Sequence, residues 1–274
     1  MSVIIGIDVG GSTTKICALK DGVLLPPDNV TATDPLASVY GAFGKYTAEK
    51  GISLGCIDSV AVTGVGSAFL DSDIYGLPTK HISEFAATGK GGLYLSDKSE
   101  AIIVSMGTGT AIIHACGNNA THLGGTGVGG GTLIGLSKQM LGMTSAEEVA
   151  ELAKQGSLSN IDLTIEAMTK KDISPTLTAK TTAANFGNLT DTATKADIAL
   201  GIINLVFETA GMMAVFSSRQ KGVKDIVLTG NLSVLPQTEE KYKSLSSMFG
   251  VNFIIPRLSQ YATVIGAAKQ LLTE

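Results

Sequence analysis

Val3-Ile4-Ile5-Gly6-Ile7-Asp8-Val9-Gly10-Gly11-Ser12-Thr13-Thr14-Lys15 reads as a buried apolar strand, an acidic residue, a glycine and hydroxyl turn, and a second strand that carries a lysine. A strand that ends in Asp and runs into Gly-Gly-Ser-Thr can aim several backbone N–H groups at one phosphate chain, because glycine permits the tight conformations this requires. An ordinary hairpin turn has the same composition, since glycine and hydroxyl residues dominate turns. A second copy of the pattern weighs against that plainer reading. Ala101-Ile102-Ile103-Val104-Ser105-Met106 is again a buried strand, followed by Gly107-Thr108-Gly109-Thr110 and the apolar Ala111-Ile112-Ile113. Two strand, turn, strand units of this kind suggest two like-built lobes facing one ligand, each lending a turn to its phosphates. Ile57 to Thr63 delivers Gly64-Val65-Gly66-Ser67, and Ile226 to Thr229 delivers Gly230-Asn231. Ligands of open α/β sheets sit at such carboxyl ends.

Working outward, Lys15 to Leu19 and Val23 to Leu25 flank Lys20-Asp21-Gly22, so three antiparallel strands open the protein. Leu36, Val39, Tyr40, Phe43 and Tyr46 follow a helical period over Pro35 to Lys50, which Gly51 ends. A short strand at Thr79 to Ile82 leads to Ser83, a candidate N-cap, and to Glu84 in the first helical turn. The helix dipole favours a carboxylate there, and Ala86 rules out a capping box through that position, so capping and chemistry both stay open for Glu84. The run from Leu123 to Leu136 is crowded with glycine between Gly124 and Gly135. It reads either as a linker or as the glycine-rich entry to a helix through Leu133, Ile134, Leu136, Met140 and Leu141, where amides suit phosphate contact.

Thr144-Ser145-Ala146-Glu147 has the spacing of a capping box before a helix that Gly156 stops. Asn160 to Met168 fits strand or helix, Lys170 to Pro175 is a solvated loop, and Thr181 to Gly187 has no informative period. Thr194 with Asp197 starts a long apolar helix to Ser217, expected in the core. Pro236 opens a further helix at its first position. Val251 to Ile255 is the last strand and Ala262 to Leu272 the closing helix.

The chain has 274 residues, 44% hydrophobic and 16% charged, with 33 Gly and no Trp, a balance that fits a compact α/β protein with a sizeable core. A net charge of −4 without a dense Lys/Arg cluster excludes a nucleic-acid partner, which demands a basic face. The chain opens on a strand without the pattern of a signal peptide, and Asn204, Glu208 and Gly211 interrupt the apolar window Ile198 to Phe216. A protein without membrane association is expected. Cys17, Cys56 and Cys116 form no Cys-x-x-Cys pair and fit core thiols in a reducing cytoplasm.

Taken in order, these motifs resemble the actin-like ATPase superfamily of hexokinases, acetate kinases and heat-shock ATPases, and within it most closely the type II pantothenate kinases. The resemblance is carried by Asp8 to Lys15, Ser83-Glu84-Phe85, Gly107 to Thr110, Gly124 to Gly131 with its helix, and Ala183-Ala184-Asn185-Phe186-Gly187. It implies an α/β fold of two actin-like, ribonuclease H-like lobes with mixed sheets and an ATP cleft between them. The lobes would span residues 1–96 and 97–274, with the closing helix packing back on the first. It implies transfer of the ATP γ-phosphoryl group to the primary hydroxyl of pantothenate, the first step towards coenzyme A. Such a reaction needs positioning, charge neutralisation and a base.

By the same resemblance Glu84 is the base, and Asp8 holds Mg²⁺ through water. Lys15 and the amides of Gly10, Gly11, Ser12 and Thr13 meet the β- and γ-phosphates, with Val9 and Thr14 also among the ATP-binding residues. Thr108 and Gly109 approach the transferring group, and Gly130, Gly131, Thr132, Leu133, Ile134, Gly230 and Asn231 line the nucleotide. Thr108, Thr110, His122 and Gly124 join Glu84 around the acceptor. The family usually carries an Arg where His122 precedes Leu123-Gly124. His122 can bind the carboxylate when protonated, the acceptor can be pantetheine or another relative without that charge, or His122 is a solvated loop residue. A kinase of an amino sugar or other hydroxylated metabolite and a non-catalytic ATP switch share the same loops. A homodimer built through the C-terminal lobe is also implied.

Overall fold

The computed structural model describes residues 2–11, 13–31, 34–169, 179 and 181–272. Ser12 and the Lys170 to Pro175 loop lie outside them. The elements are β1 (Val3–Val9), β2 (Thr14–Lys20), β3 (Val23–Leu24), β4 (Asp28–Val30), α1 (Pro35–Lys50), β5 (Ile57–Thr63), β6 (Thr79–His81) and α2 (Glu84–Ser96). There follow β7 (Glu100–Met106), β8 (Thr110–Cys116), β9 (Asn119–Thr126), α3 (Gly130–Leu141), α4 (Ala146–Ala153), β10 (Leu163–Thr164), α5 (Ile165–Met168) and β11 (Thr182–Ala184). The chain closes with α6 (Lys195–Lys221), β12 (Asp225–Thr229), α7 (Gln237–Phe249), β13 (Asn252–Ile254) and α8 (Ala262–Gln270).

The two large sheets repeat one topology. The first runs β3-β2-β1-β5-β6, with β4 on the flank of β2, and the second runs β9-β8-β7-β12-β13. In each, an antiparallel meander is continued by two parallel strands reached through helical crossovers. Strand alternation then sorts the side chains. Ile5, Ile7 and Val9 of β1 join Val39, Phe43 and Tyr46 of α1 in one core, while Ile4, Cys17 and Leu19 face Val264, Ile265 and Ala268 of α8. In the second sheet Ile102, Val104 and Met106 face α6, and Ala101 and Ile103 face Leu93 of α2. Helices α8 and α2 therefore form the middle layer between the sheets.

These helices cross with backbone against backbone. A Cβ on Gly91 would lie 1.8 Å from the Ala262 carbonyl, and one on Gly266 1.8 Å from that of Ala87, so only glycine fits at either position. α6 is long and apolar enough to cross a membrane, but most of its apolar window is buried, with Ile202, Val206, Phe207, Ala210 and Ala214 in the second core. Its capping box of Thr194 and Asp197 forms as the sequence implies.

Several local expectations shift. The cap of α4 is Ser145, whose hydroxyl accepts from the Glu148 amide, and α4 ends at Ala153 rather than at Gly156. Pro236 stands one position before α7, and Ser83 precedes α2 without a side-chain cap bond. The ambiguous Leu163-Thr164 pairs with Thr182 to Ala184, a contact distant in sequence that local periodicity does not encode. The glycine run from Gly124 is no linker: it ends β9 and opens α3 within the second unit.

Candidate functional site

The carboxyl ends of β1, β5, β7 and β12 converge on a cavity of about 490 Å³ between the sheets. Its walls include Asp8, Gly10, Gly11, Thr13 and Lys15 from the first turn, and Gly107, Thr108, Gly109 and Thr110 from the second. Glu84, Gly230, Asn231 and Thr263 complete its lining together with Ser105, Gly64, Val65, Ala111 and Thr126. Asp8 is paired with Lys15 on β2 and with Thr63 on β5, on the sheet face that looks towards α8. Alternation alone puts Asp8 and Lys15 in the cleft.

Lys15 is buried and Asp8 half-buried, so both charges are partly withdrawn from bulk water. Burial raises the Asp8 carboxyl to about 6, opposed by the Lys15 ammonium and reinforced by the Glu84 carboxylate. Burial likewise lowers the Lys15 ammonium from its ordinary value, with Asp8 acting against that shift. Lys15 Nζ donates to the Gln260 carbonyl at 2.7 Å, which ties β2 to the turn entering α8. Glu84 opens α2, exposed to the cleft, where the helix dipole stabilises its negative charge.

The second turn is built differently. Gly130 and Gly131, the first residues of α3, donate their amides to the Gly107 and Thr108 carbonyls at 2.8 Å. Thr110 Oγ1 donates to the Val128 carbonyl, and Thr132 Oγ1 donates to the Gly127 carbonyl while accepting from the Gly129 amide. The helix N-terminus thus buttresses the turn rather than pointing at the cavity. Gly130, Gly131, Thr132, Leu133 and Ile134 accordingly do not line it, and the Leu133 side chain is core. Val9 and Thr14 also turn away. Both fall on the α1 face by alternation, Val9 in that core and Thr14 accepting from Ser38 Oγ at 2.7 Å.

On β9, His122 lies opposite Ile113, on the face covered by α2. The His122 ring stacks on Phe85, the neighbour of Glu84, with centroids 4.1 Å apart and planes 6° off parallel. Gly124 adds no side chain and, like His122, does not line the cavity. Both arginines lie elsewhere, Arg219 over the Phe249 ring and Arg257 beside α7.

One half-buried carboxylate with a second close enough to raise its pKa suits a hard cation that arrives with nucleotide phosphates, since Mg²⁺ takes one or two protein carboxylates beside phosphate oxygens. Among the described residues no cluster of three or more His, Cys, Asp and Glu offers an all-protein cage.

Residues 71–252 match the family model described as Fumble. The chain belongs to the Fumble family. Two curated relatives, both type II pantothenate kinases, agree with that placement. That of Bacillus cereus (strain G9842) is 30% identical over 240 residues, covering 83% of each chain, and that of Staphylococcus epidermidis is 28% identical over 254 residues, covering 88% of this chain and 91% of the relative. Solved structures share the fold. The activator of the 2-hydroxyisocaproyl-CoA dehydratase from Clostridium difficile, with bound ADPNP, superposes with a TM-score of 0.70 at 17% identity over 99% of this chain and 97% of its own. A ROK family protein from Streptococcus pneumoniae in complex with sucrose gives 0.62 at 13% identity over 99% and 98%. The Fumble-family chain thus has the actin-like ATPase fold, with mixed sheets as its motifs imply.

Ser105, Ala111, Thr126 and Thr263 line the cavity outside the turn motifs. Ser105 could be placed by alternation from the core residue Met106, whereas Thr263 is brought in by the return of α8 and has no local signal.

Proposed function

We propose that the chain is a kinase that transfers the γ-phosphoryl group of ATP to the primary hydroxyl of pantothenate, giving 4′-phosphopantothenate and ADP on the route to coenzyme A. The observation that carries this reading is that Glu84 faces the same cavity as both phosphate-type turns, through Gly10, Gly11, Thr13 and Lys15 of the first and Gly107 to Thr110 of the second. A base, a cation-holding carboxylate and a lysine then surround one space, which is what an in-line phosphoryl transfer requires. Mg²⁺, held by Asp8 through water, would neutralise phosphate charge. Glu84 accepts the proton of the attacking hydroxyl. Lys15 leaves the Gln260 carbonyl to meet the phosphates, and Gly230 with Asn231 borders the nucleotide.

In this reading residues 1–96 and 97–274 form the two lobes, with α8 returning to the first, and the enzyme acts as a cytoplasmic homodimer. The stacking of His122 on Phe85 favours a second acceptor, pantetheine, because a flat ring pair offers no bidentate fork for a carboxylate. ADP release is expected to be stimulated by pantothenate, and Glu84→Gln to lower turnover at least about 100-fold while leaving nucleotide affinity intact. Absence of stimulation by either pantothenate or pantetheine refutes the assignment.

A further inference from the structure

Thr63 ends β5 directly beside Asp8, its register partner on β1. Its side chain is fully buried, and its Oγ1 has no hydrogen-bond partner among the described residues. A buried hydroxyl left unpaired is destabilising, so such groups are rare in folded proteins and ask for an explanation.

The surroundings narrow that explanation. Parallel partners point their side chains to the same face, so Thr63 shares with Asp8 the face covered by α2 and α8. There the adjacent positions are apolar: Ala61 packs with Ala87 and Ala267. Thr88 and Thr263 satisfy each other at 2.9 Å. The Asp8 carboxylate reaches over the Thr63-Gly64 peptide, since a Cβ on Gly64 would stand 2.6 Å from Asp8 Oδ1. An unpaired donor therefore sits under the carboxylate that has most need of one.

We propose that Thr63 is a positioning residue of the phosphoryl-transfer site, its hydroxyl donating to the Asp8 carboxylate when Mg-nucleotide fills the cleft and fixing the orientation in which Asp8 holds the hydrated cation. The assignment rests on the kinase reading above. A hydrogen bond to a charged group, formed only in the loaded state, strengthens Mg-nucleotide binding without contributing to the empty protein.

Thr63→Val removes the hydroxyl and keeps the shape, and Thr63→Ser keeps the hydroxyl. Thr63→Val should leave the melting temperature of the ligand-free protein unchanged or raised, weaken Mg-ATP binding about tenfold, and raise the Mg²⁺ concentration for half-maximal turnover by a similar factor. The KM for the acceptor should not move, and Thr63→Ser should bind Mg-ATP as wild type does. A ligand-free Thr63→Val protein that melts earlier would show that the hydroxyl is already partnered, and would overturn the proposal. So would wild-type Mg-ATP affinity in Thr63→Val, or an equal loss in Thr63→Ser. Failure of the wild-type chain to bind Mg-ATP at all would remove the kinase reading itself, whereas normal wild-type binding with an unaffected Thr63→Val protein removes only the role of Thr63.

Discussion

The turns Gly10 to Lys15 and Gly107 to Thr110 share a sequence pattern and a place at the end of equivalent strands, yet they are held in opposite ways. The first closes on its own Gly10 amide to Thr13 carbonyl bond at 3.0 Å and is otherwise flanked by charge: Asp8 and Lys15 stand beside it on one sheet face, and Lys15 is moored to a carbonyl of a distant turn. The second is braced by backbone, its carbonyls capped by the first amides of α3 and its threonine tied to the loop before that helix. A turn held by ionisable groups can rearrange when a phosphate arrives, because its partners are themselves able to bind the ligand. A turn held by a helix terminus keeps its shape whether or not the cleft is filled. The duplicated fold thus supplies one adjustable wall and one fixed wall.

Breaking the charged wall should have the largest effect. Asp8→Asn is expected to lower turnover at least about 100-fold by removing the group proposed to hold the cation. The same variant tests the electrostatics without substrate. A carboxyl raised to about 6 when folded, against 3.8 ordinarily, binds its proton more tightly in the folded state. Its contribution therefore falls as pH rises from about 4 through 6 and stays low above that. Denaturant unfolding at pH 5 and pH 7 should show wild type losing up to about 1 kcal/mol relative to Asp8→Asn, and less to the extent that water reaches the carboxylate through the cleft. A gap that is the same at both values would show that Asp8 titrates normally.

The backbone wall should fail through stability instead. A Cβ on Gly129 would lie 2.7 Å from both the Gly109 Cα and the Thr108 carbonyl oxygen, so Gly129→Ala should cost about 1–3 kcal/mol of unfolding free energy and distort the second turn. The smallest change is Thr132→Ala. It deletes the hydroxyl that joins Gly127 to Gly129 and should cost about 1 kcal/mol with turnover little altered. A large loss of turnover in Thr132→Ala at full stability would mean that this wall also adjusts during the reaction.

The same contrast explains what could be read from the chain before its structure. β5 and α1 lie where their patterns put them, because a β-branched run bounded by glycine and an apolar stripe between Asp34 and Gly51 are local signals. Asp8 and Lys15, at the strand ends flanking a glycine turn, could be pointed to from their own sequence, and both line the cavity, whereas for Glu84 the local sequence left capping and chemistry open and only the family resemblance pointed to the cleft that it lines. The direction of the α3 amides was not legible. Whether Gly130 and Gly131 face a phosphate or the Gly107 and Thr108 carbonyls depends on a contact between segments far apart in the chain, and glycine carries no side chain to betray it. Thr63 escaped for a related reason: a threonine closing a strand is unremarked until its unpaired oxygen and its neighbour Asp8 are both known.

The crossing of α2 and α8 acts as a ruler for the whole molecule. Because Gly91 and Gly266 let the two backbones touch, the spacing between the sheets is set by peptide thickness and not by the size of any side chain. Glu84 is carried by one of these helices, and the turn that moors Lys15 leads into the other. A single methyl group inserted at the crossing would therefore move the proposed base and the proposed phosphate-binding lysine apart, changing the gauge of the cleft from a position outside it.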